Sequence, residues 1–267
     1  MQAGKWLRGA LAAALVVGSA AATAGPVSGQ GTWETTLQAR DIDGNPVALG
    51  DPNAAFFYDT VLNVTWLRDF NAGAGSAFDD GASTTDGRMT WPNANAWAAA
   101  LTVGVFTGWR LPTIIDSRAP GCNWSDAGGT DCGYNVQTED GGAYSEWAHL
   151  WYLTLGNLAY CPPGNTTCTG PGVPQPGWGL TNTAYFQKMQ SGGYWSGTAY
   201  APGPAFGAWY FGTVDGSQVH GDQSLQGFAV AVRPGDVFAG AVPEPSTVAL
   251  LLAALGALTL ARRRHTA

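Results

Sequence analysis

Both ends of this 267-residue chain are apolar runs fenced by basic residues; the first is too short for a bilayer span and the second is marginal. Lys5 and Arg8 precede the run from Ala10 to Val17, which gives way to small residues ending Ala22-Thr23-Ala24. A charged leader, a short apolar stretch and an Ala-x-Ala site form the pattern a signal peptidase reads, so cleavage is expected after Ala24. At the other end Val248 to Ala261 is apolar, and Arg262, Arg263 and Arg264 close it. A hydrocarbon core of about 30 Å needs roughly 20 apolar residues, so this helix is marginal as a permanent anchor and adequate as a transient one. The arginine cluster stays cytoplasmic and what precedes it lies outside. The part left to fold is residues 25–241.

That part is poor in charge and rich in rings. Charged residues make up 12% of the chain, where an average soluble domain has about 25%. Hydrophobic residues at 45% and aromatic residues at 12% supply a core, which excludes a disordered chain. Within 25–241, seven Lys and Arg oppose eighteen Asp and Glu, a formal charge of −11. Without a basic stripe to neutralise phosphates, nucleic acid is excluded as a partner. A polyanionic sugar would need a local cationic patch or bridging cations. No period of 20–50 residues recurs, so the chain is not a repeat array.

The runs Phe56–Asp59 and Val64–Leu67 read as short strands about a turn at Leu62-Asn63, after a leading strand and loop over 31–49. Thr90 is placed to cap a helix through Asn95–Leu101, with Pro92 in its first turn. Gly108–Thr113 reads as a strand running into a proline turn. Ser145 opens a second helix to Leu155, with Trp147, Leu150, Trp151 and Leu155 on one stripe. Further strands are expected at Gly193–Ser196, Ala208–Phe211 and Gly227–Arg233, with Gly212–Asp222 as hairpin turn. Two helices and several antiparallel strands make an α+β domain. Residues 118–143 and 160–179 read as long loop insertions.

Cys122, Cys132, Cys161 and Cys168 allow three pairings. An oxidising destination favours disulfides, and the local pairs Cys122–Cys132 and Cys161–Cys168 are the simplest, each within one insertion. The spacings are not those of a metal site. Asp41-Ile42-Asp43-Gly44-Asn45 alternates oxygen ligands around a glycine turn, with Asp41, Asp43 and Asn45 as candidate calcium ligands. It lacks the later bidentate Glu of a full calcium loop and reads equally as a solvated turn. Asp79-Asp80 and Asp86 form a second acidic loop. Trp124 and Trp178 sit in the insertions, outside the helix and strand patterns. They are candidate sugar-stacking rings or loop anchors, whereas Trp97, Trp109, Trp151, Trp195 and Trp209 fit core positions. No nucleophile–base motif, zinc motif or phosphate loop occurs, so catalytic residues are not expected. No cofactor is expected beyond calcium.

Val242-Pro243-Glu244-Pro245, the apolar run and Arg262–Arg264, in that order, resemble the PEP-CTERM sorting signal, which is read by an exosortase. Gly108-Trp109-Arg110-Leu111-Pro112-Thr113, Tyr194-Trp195-Ser196-Gly197-Thr198 and Ala229–Pro234 resemble the Lcl C-terminal domain family. Asp59–Asp69 and the Met89–Trp97 segment fit its N-terminal half. The resemblance covers 56–236, which leaves 1–24 as signal peptide, 25–55 as a leading region and 237–267 as sorting tail. It implies a compact C-type-lectin-like or formylglycine-generating-enzyme-like fold, and a non-catalytic module binding acidic or sulfated polysaccharide at the envelope or in extracellular matrix. A structural matrix component without a specific ligand is the alternative, and an enzyme acting on exopolysaccharide a more distant one. Arg110 and Arg233 match family positions; a buried Arg paired with a carboxylate would serve the fold equally well.

Overall fold

Successive side chains on a strand point to opposite faces, and in Phe56-Phe57 and Trp66-Leu67 both faces carry large apolar groups. In the computed structural model, which describes residues 24–118, 131–165 and 167–238, those faces enter two hydrophobic clusters. Phe57 and Trp66 join Phe70, Trp147, Trp151, Tyr194, Trp209 and Phe211 in the first. Phe56 and Leu67 join Met89, Trp97, Trp109, Leu111 and Trp195 in the second. The expected signal peptide up to Thr23, Cys122, Trp124 and the sorting tail from residue 239 on, with its apolar run, lie outside the described residues.

The first described element is a helical turn, α1 (Trp33–Thr36), which runs into β1 (Leu37–Arg40), followed by β2 (Phe56–Asp59) and β3 (Val64–Leu67). After a long acidic loop come β4 (Arg88–Met89) and α2 (Trp91–Ala100). The small hairpin β5 (Glu139–Asp140) and β6 (Ala143–Tyr144) precedes α3 (Glu146–Ala148), which continues as a π-helical turn over His149–Thr154. Five strands finish the domain: β7 (Gly193–Ala199), β8 (Gly207–Gly212), β9 (Ser217–Asp222), β10 (Gly227–Phe228) and β11 (Val232–Pro234). They form a four-stranded sheet ordered β1-β2-β3-β11 and a five-stranded sheet ordered β4-β10-β7-β8-β9. Among these pairings only β10–β7, where Phe228 faces Tyr194, is parallel. The domain is thus α+β, mostly sheet with few helices and short antiparallel strands. The leading region 25–55 belongs to the first sheet, since β1 pairs along its whole length with β2.

Four local expectations are corrected. Gly227–Arg233 is two strands, because Ala229, Val230 and Ala231 are buried while the chain crosses from one sheet to the other. The turn expected over Gly212–Asp222 closes early, and Ser217–Asp222 is strand β9 paired with β8. Gly108–Thr113 makes a single bridge, Arg110 to Val232, where a strand was expected. The helix from Ser145 is α-helical for one turn only, and its wider π turn keeps Leu150, Trp151 and Leu155 buried. Neither expected cap uses its hydroxyl on its own helix. Thr90 Oγ1 donates to Asp80 Oδ2 at 3.1 Å, and Ser145 Oγ accepts from the Ile115 amide at 2.9 Å.

Cys161 and Cys168 are joined in a disulfide with their Cα atoms 5.4 Å apart. Cys132 is disulfide-bonded as well. No helix among the described residues is long and apolar enough to cross a membrane.

Candidate functional site

Two aromatic residues on neighbouring strands shape the main cleft. Trp195 of β7 stands opposite Tyr210 of β8, and their rings meet edge to face at 5.7 Å. The indole N–H of Trp195 donates to the Met89 carbonyl at 2.9 Å, which fixes the ring. Space beside the rings exists because the adjacent strand positions lack side chains. A Cβ on Gly227 would stand 2.8 Å from Trp195 Nε1, and one on Gly193 would stand 3.2 Å from the Tyr210 ring. The result is a cleft of about 600 Å³ lined by these four residues with Arg88, Ser224, Leu225 and Gln226. That volume is within the range of small-ligand sites.

Its polar groups are few and differ in kind. The Arg88 guanidinium lies over the Phe228 ring at 5.4 Å and has no carboxylate partner among the described residues. Gln226 Oε1 is buried without a hydrogen-bond donor among them. A shallower depression of about 330 Å³ shares Ser224 and carries Phe206 on its wall, whose ring is 75% exposed. Apolar rings, one free cation and an amide suit a ligand with C–H faces, hydroxyls and negative charge.

A second cleft, of about 490 Å³, holds Trp178 at its rim with Lys188, Thr183 and Gln190. Trp178 is about one-third exposed and meets Tyr160 edge-on at 4.9 Å, so it is held by a loop contact and still offers a face. Lys188 is paired with Asp69 at 2.6 Å. Trp97, Trp109, Trp151, Trp195 and Trp209 are buried.

The Asp41 carboxylate is engaged by its own turn. Oδ1 accepts from the amides of Asp43 at 2.9 Å and Asn45 at 2.8 Å, and Oδ2 accepts from Asn45 Nδ2 at 3.1 Å. Those bonds, led by the one from the Asn45 side chain, hold Asp41 below the usual carboxylate range. Among the described residues no three of His, Cys, Asp and Glu gather as a metal cluster. Arg110 is paired with Glu146 of α3 at 2.7 Å. Arg233 donates from Nε to the Thr107 carbonyl at 2.9 Å and lies over the Phe106 ring.

One buried titratable pair was not read from the chain. Asp59 Oδ1 accepts from the amides of Val61 and Leu62 at 3.0 and 3.1 Å, and Oδ2 from Thr154 Oγ1 at 3.3 Å. Burial pushes Asp59 up and His149 down, while each charge favours the other's ionised form. The π turn brings His149 to Asp59, and Tyr144 packs on its ring edge-on at 5.4 Å.

The cleft residues Arg88, Tyr210 and Gln226 were likewise missed. The one local signal was glycine at alternate strand positions beside a ring, as in Gly193-Tyr194-Trp195, and it has meaning only once the cross-strand partner is known.

A PEP-CTERM protein-sorting motif matches residues 241–264. It supports an exported, envelope-associated protein processed by an exosortase. No curated protein and no solved structure matches the chain.

Proposed function

We propose that the exported domain is a non-catalytic binding module for acidic polysaccharide, of the Lcl C-terminal type and C-type-lectin-like in fold. On this reading a signal peptidase cleaves after Ala24, and the apolar run 248–261 anchors the chain transiently until the exosortase acts at the tail. The module is then delivered to the envelope or the matrix around it. The observation that carries the binding reading is the cleft where Arg88 stands beside the Trp195–Tyr210 floor. In a chain with so few cations, an Arg without a carboxylate partner among the described residues, next to the half-buried Tyr210 ring, favours an anionic sugar. The lining offers a cation, rings, an amide and a hydroxyl. Trp178 and Lys188 give a second, weaker candidate surface.

The test is titration of the full chain with a sulfated polysaccharide, an uronic-acid polysaccharide and a neutral glucan at two salt concentrations. Saturable binding to the acidic polymers, weakened by Arg88→Ala and by Tyr210→Ala and reduced by salt, is the expected result. Binding that survives both substitutions but falls with Trp178→Ala moves the site to the second cleft. No binding to any polymer by the folded chain leaves a structural matrix component.

A further inference from the structure

The loop between β3 and β4 contains two buried oxygen atoms that nothing in the described protein satisfies. Asp79 is only 4% exposed. Its Oδ2 accepts from the amides of Gly75 and Gly87, each at 2.9 Å, while Oδ1 is buried without a donor. Asn71 donates from Nδ2 to the Asp86 carbonyl at 3.2 Å, and its Oδ1 is again buried without a donor. Both side chains converge on Gly87. Asn71 Oδ1 lies 1.9 Å from where a Cβ on Gly87 would stand, and the Gly87 φ of +81° is one that glycine accepts readily. Any side chain at 87 would displace the amide.

A buried carboxylate oxygen facing no donor is unfavourable unless a cation or an ordered water meets it. Of the cations nearest in the chain, Arg68 donates to the carbonyls of Asp51, Pro52, Ala54 and Tyr185, and Arg88 points its guanidinium over the Phe228 ring. Asp80 and Asp86 add negative charge to the same loop, and their carboxylates accept from Thr90 and Arg88 amides at its rim. We infer that this loop binds a divalent cation of the calcium type, with Asp79 Oδ1 and Asn71 Oδ1 as its protein side-chain ligands. The donors are all oxygen, which excludes a soft-metal preference. With only one buried carboxylate, the rest of the shell is backbone carbonyl and water. That suits the flexible coordination of calcium better than the strict octahedron of magnesium. The inference is independent of the polysaccharide reading, because neither cleft is lined by these residues.

The full chain, stripped with EGTA, is titrated calorimetrically with calcium chloride and magnesium chloride, and its thermal unfolding is followed in parallel. One calcium equivalent is expected, with Kd in the range of roughly 10⁻⁴–10⁻³ M common to extracellular calcium modules, and a rise in Tm. Asp79→Asn should weaken calcium by at least about tenfold, and Asp41→Asn should leave it unchanged. If Asp79→Asn does not fold, Asn71→Ala decides, with a loss of about tenfold supporting the site and unchanged affinity overturning it. A folded wild-type chain that shows neither heat nor Tm shift with calcium overturns the inference. A bridging water would then account for the two oxygens.

Discussion

Arg110 grips Glu146 with both arms of its guanidinium, Nη1 to Oε2 at 2.8 Å and Nη2 to Oε1 at 2.7 Å, across 36 residues of chain. Glu146 Oε2 also accepts from the Thr113 amide at 2.7 Å, so one carboxylate ties the Arg110–Thr113 segment to α3. Pairing with Glu146 raises Arg110 above its ordinary value. Glu146 is almost wholly buried while Arg110 is about one-third exposed, so the loss on truncation is below the ~3–5 kcal/mol of a deeply buried pair. Arg110→Ala should cost about 2 kcal/mol. Arg110→Lys should recover less than half, because an ammonium cannot make the planar double contact. Urea midpoints of the two variants at constant m-value check this.

The Asp59–His149 pair predicts a stability that changes with pH in two windows. His149 has a folded-state pKa below its ordinary 6.5, so the unfolded chain takes up the proton first. Stability is lost as pH falls from about 6.5 towards the folded value. Asp59 is raised above 3.8, so its contribution has the opposite sign, present below 3.8 and lost as pH rises through the folded value. His149→Gln should flatten the loss between pH 7 and 5, while Asp59→Asn should remove the opposing slope at lower pH. Glu139, whose charge raises His149, is the control: Glu139→Gln should deepen the His149 depression. Unfolding free energies measured from pH 4 to 8 separate these outcomes.

The Cys161–Cys168 bridge closes a loop of sequence separation seven. Chain entropy for so short a loop amounts to about 2.5 kcal/mol. Replacing both cysteines by serine should lower the unfolding free energy by about that amount or less. Asn135 Nδ2 and Gln175 Nε2 donate to the Cys161 carbonyl and hold the segment without the bridge. Denaturant unfolding of the double variant, compared with the oxidised parent, is the measurement.

Gly227→Ala should push on Trp195. The added methyl would stand 2.8 Å from Nε1, the atom that donates to Met89. Relief requires the ring or β10 to move, at a cost of about 1–3 kcal/mol. Acidic-polysaccharide affinity should fall along with stability, because the same methyl enters the cleft. Parallel melting curves and binding isotherms report both effects.

Much of the domain was legible in the chain because it depends on near neighbours. Phe56–Asp59 and Val64–Leu67 paired as expected, since β-type runs around a short turn meet through local geometry. Thr90 and Pro92 opened α2 at Trp91, since proline in a first turn lacks an amide the helix does not need there. The five tryptophans read as core are buried because they lie on patterned runs. The Trp178 loop had no pattern, and Trp178 remains about one-third exposed.

What the sequence determined by itself was what a few adjacent residues can encode: the sorting motif over 241–264, the short elements and the acidic balance. What only the tertiary structure decided was which distant residues meet. The split of residues 227–233 between two sheets, the Arg110–Glu146 grip, the Asp59–His149 pair and the cleft under Arg88 all depend on that. Each joins groups many residues apart whose juxtaposition follows from burying both faces of the strands at once. Neither residue of such a pair carries a mark of its partner in its local pattern.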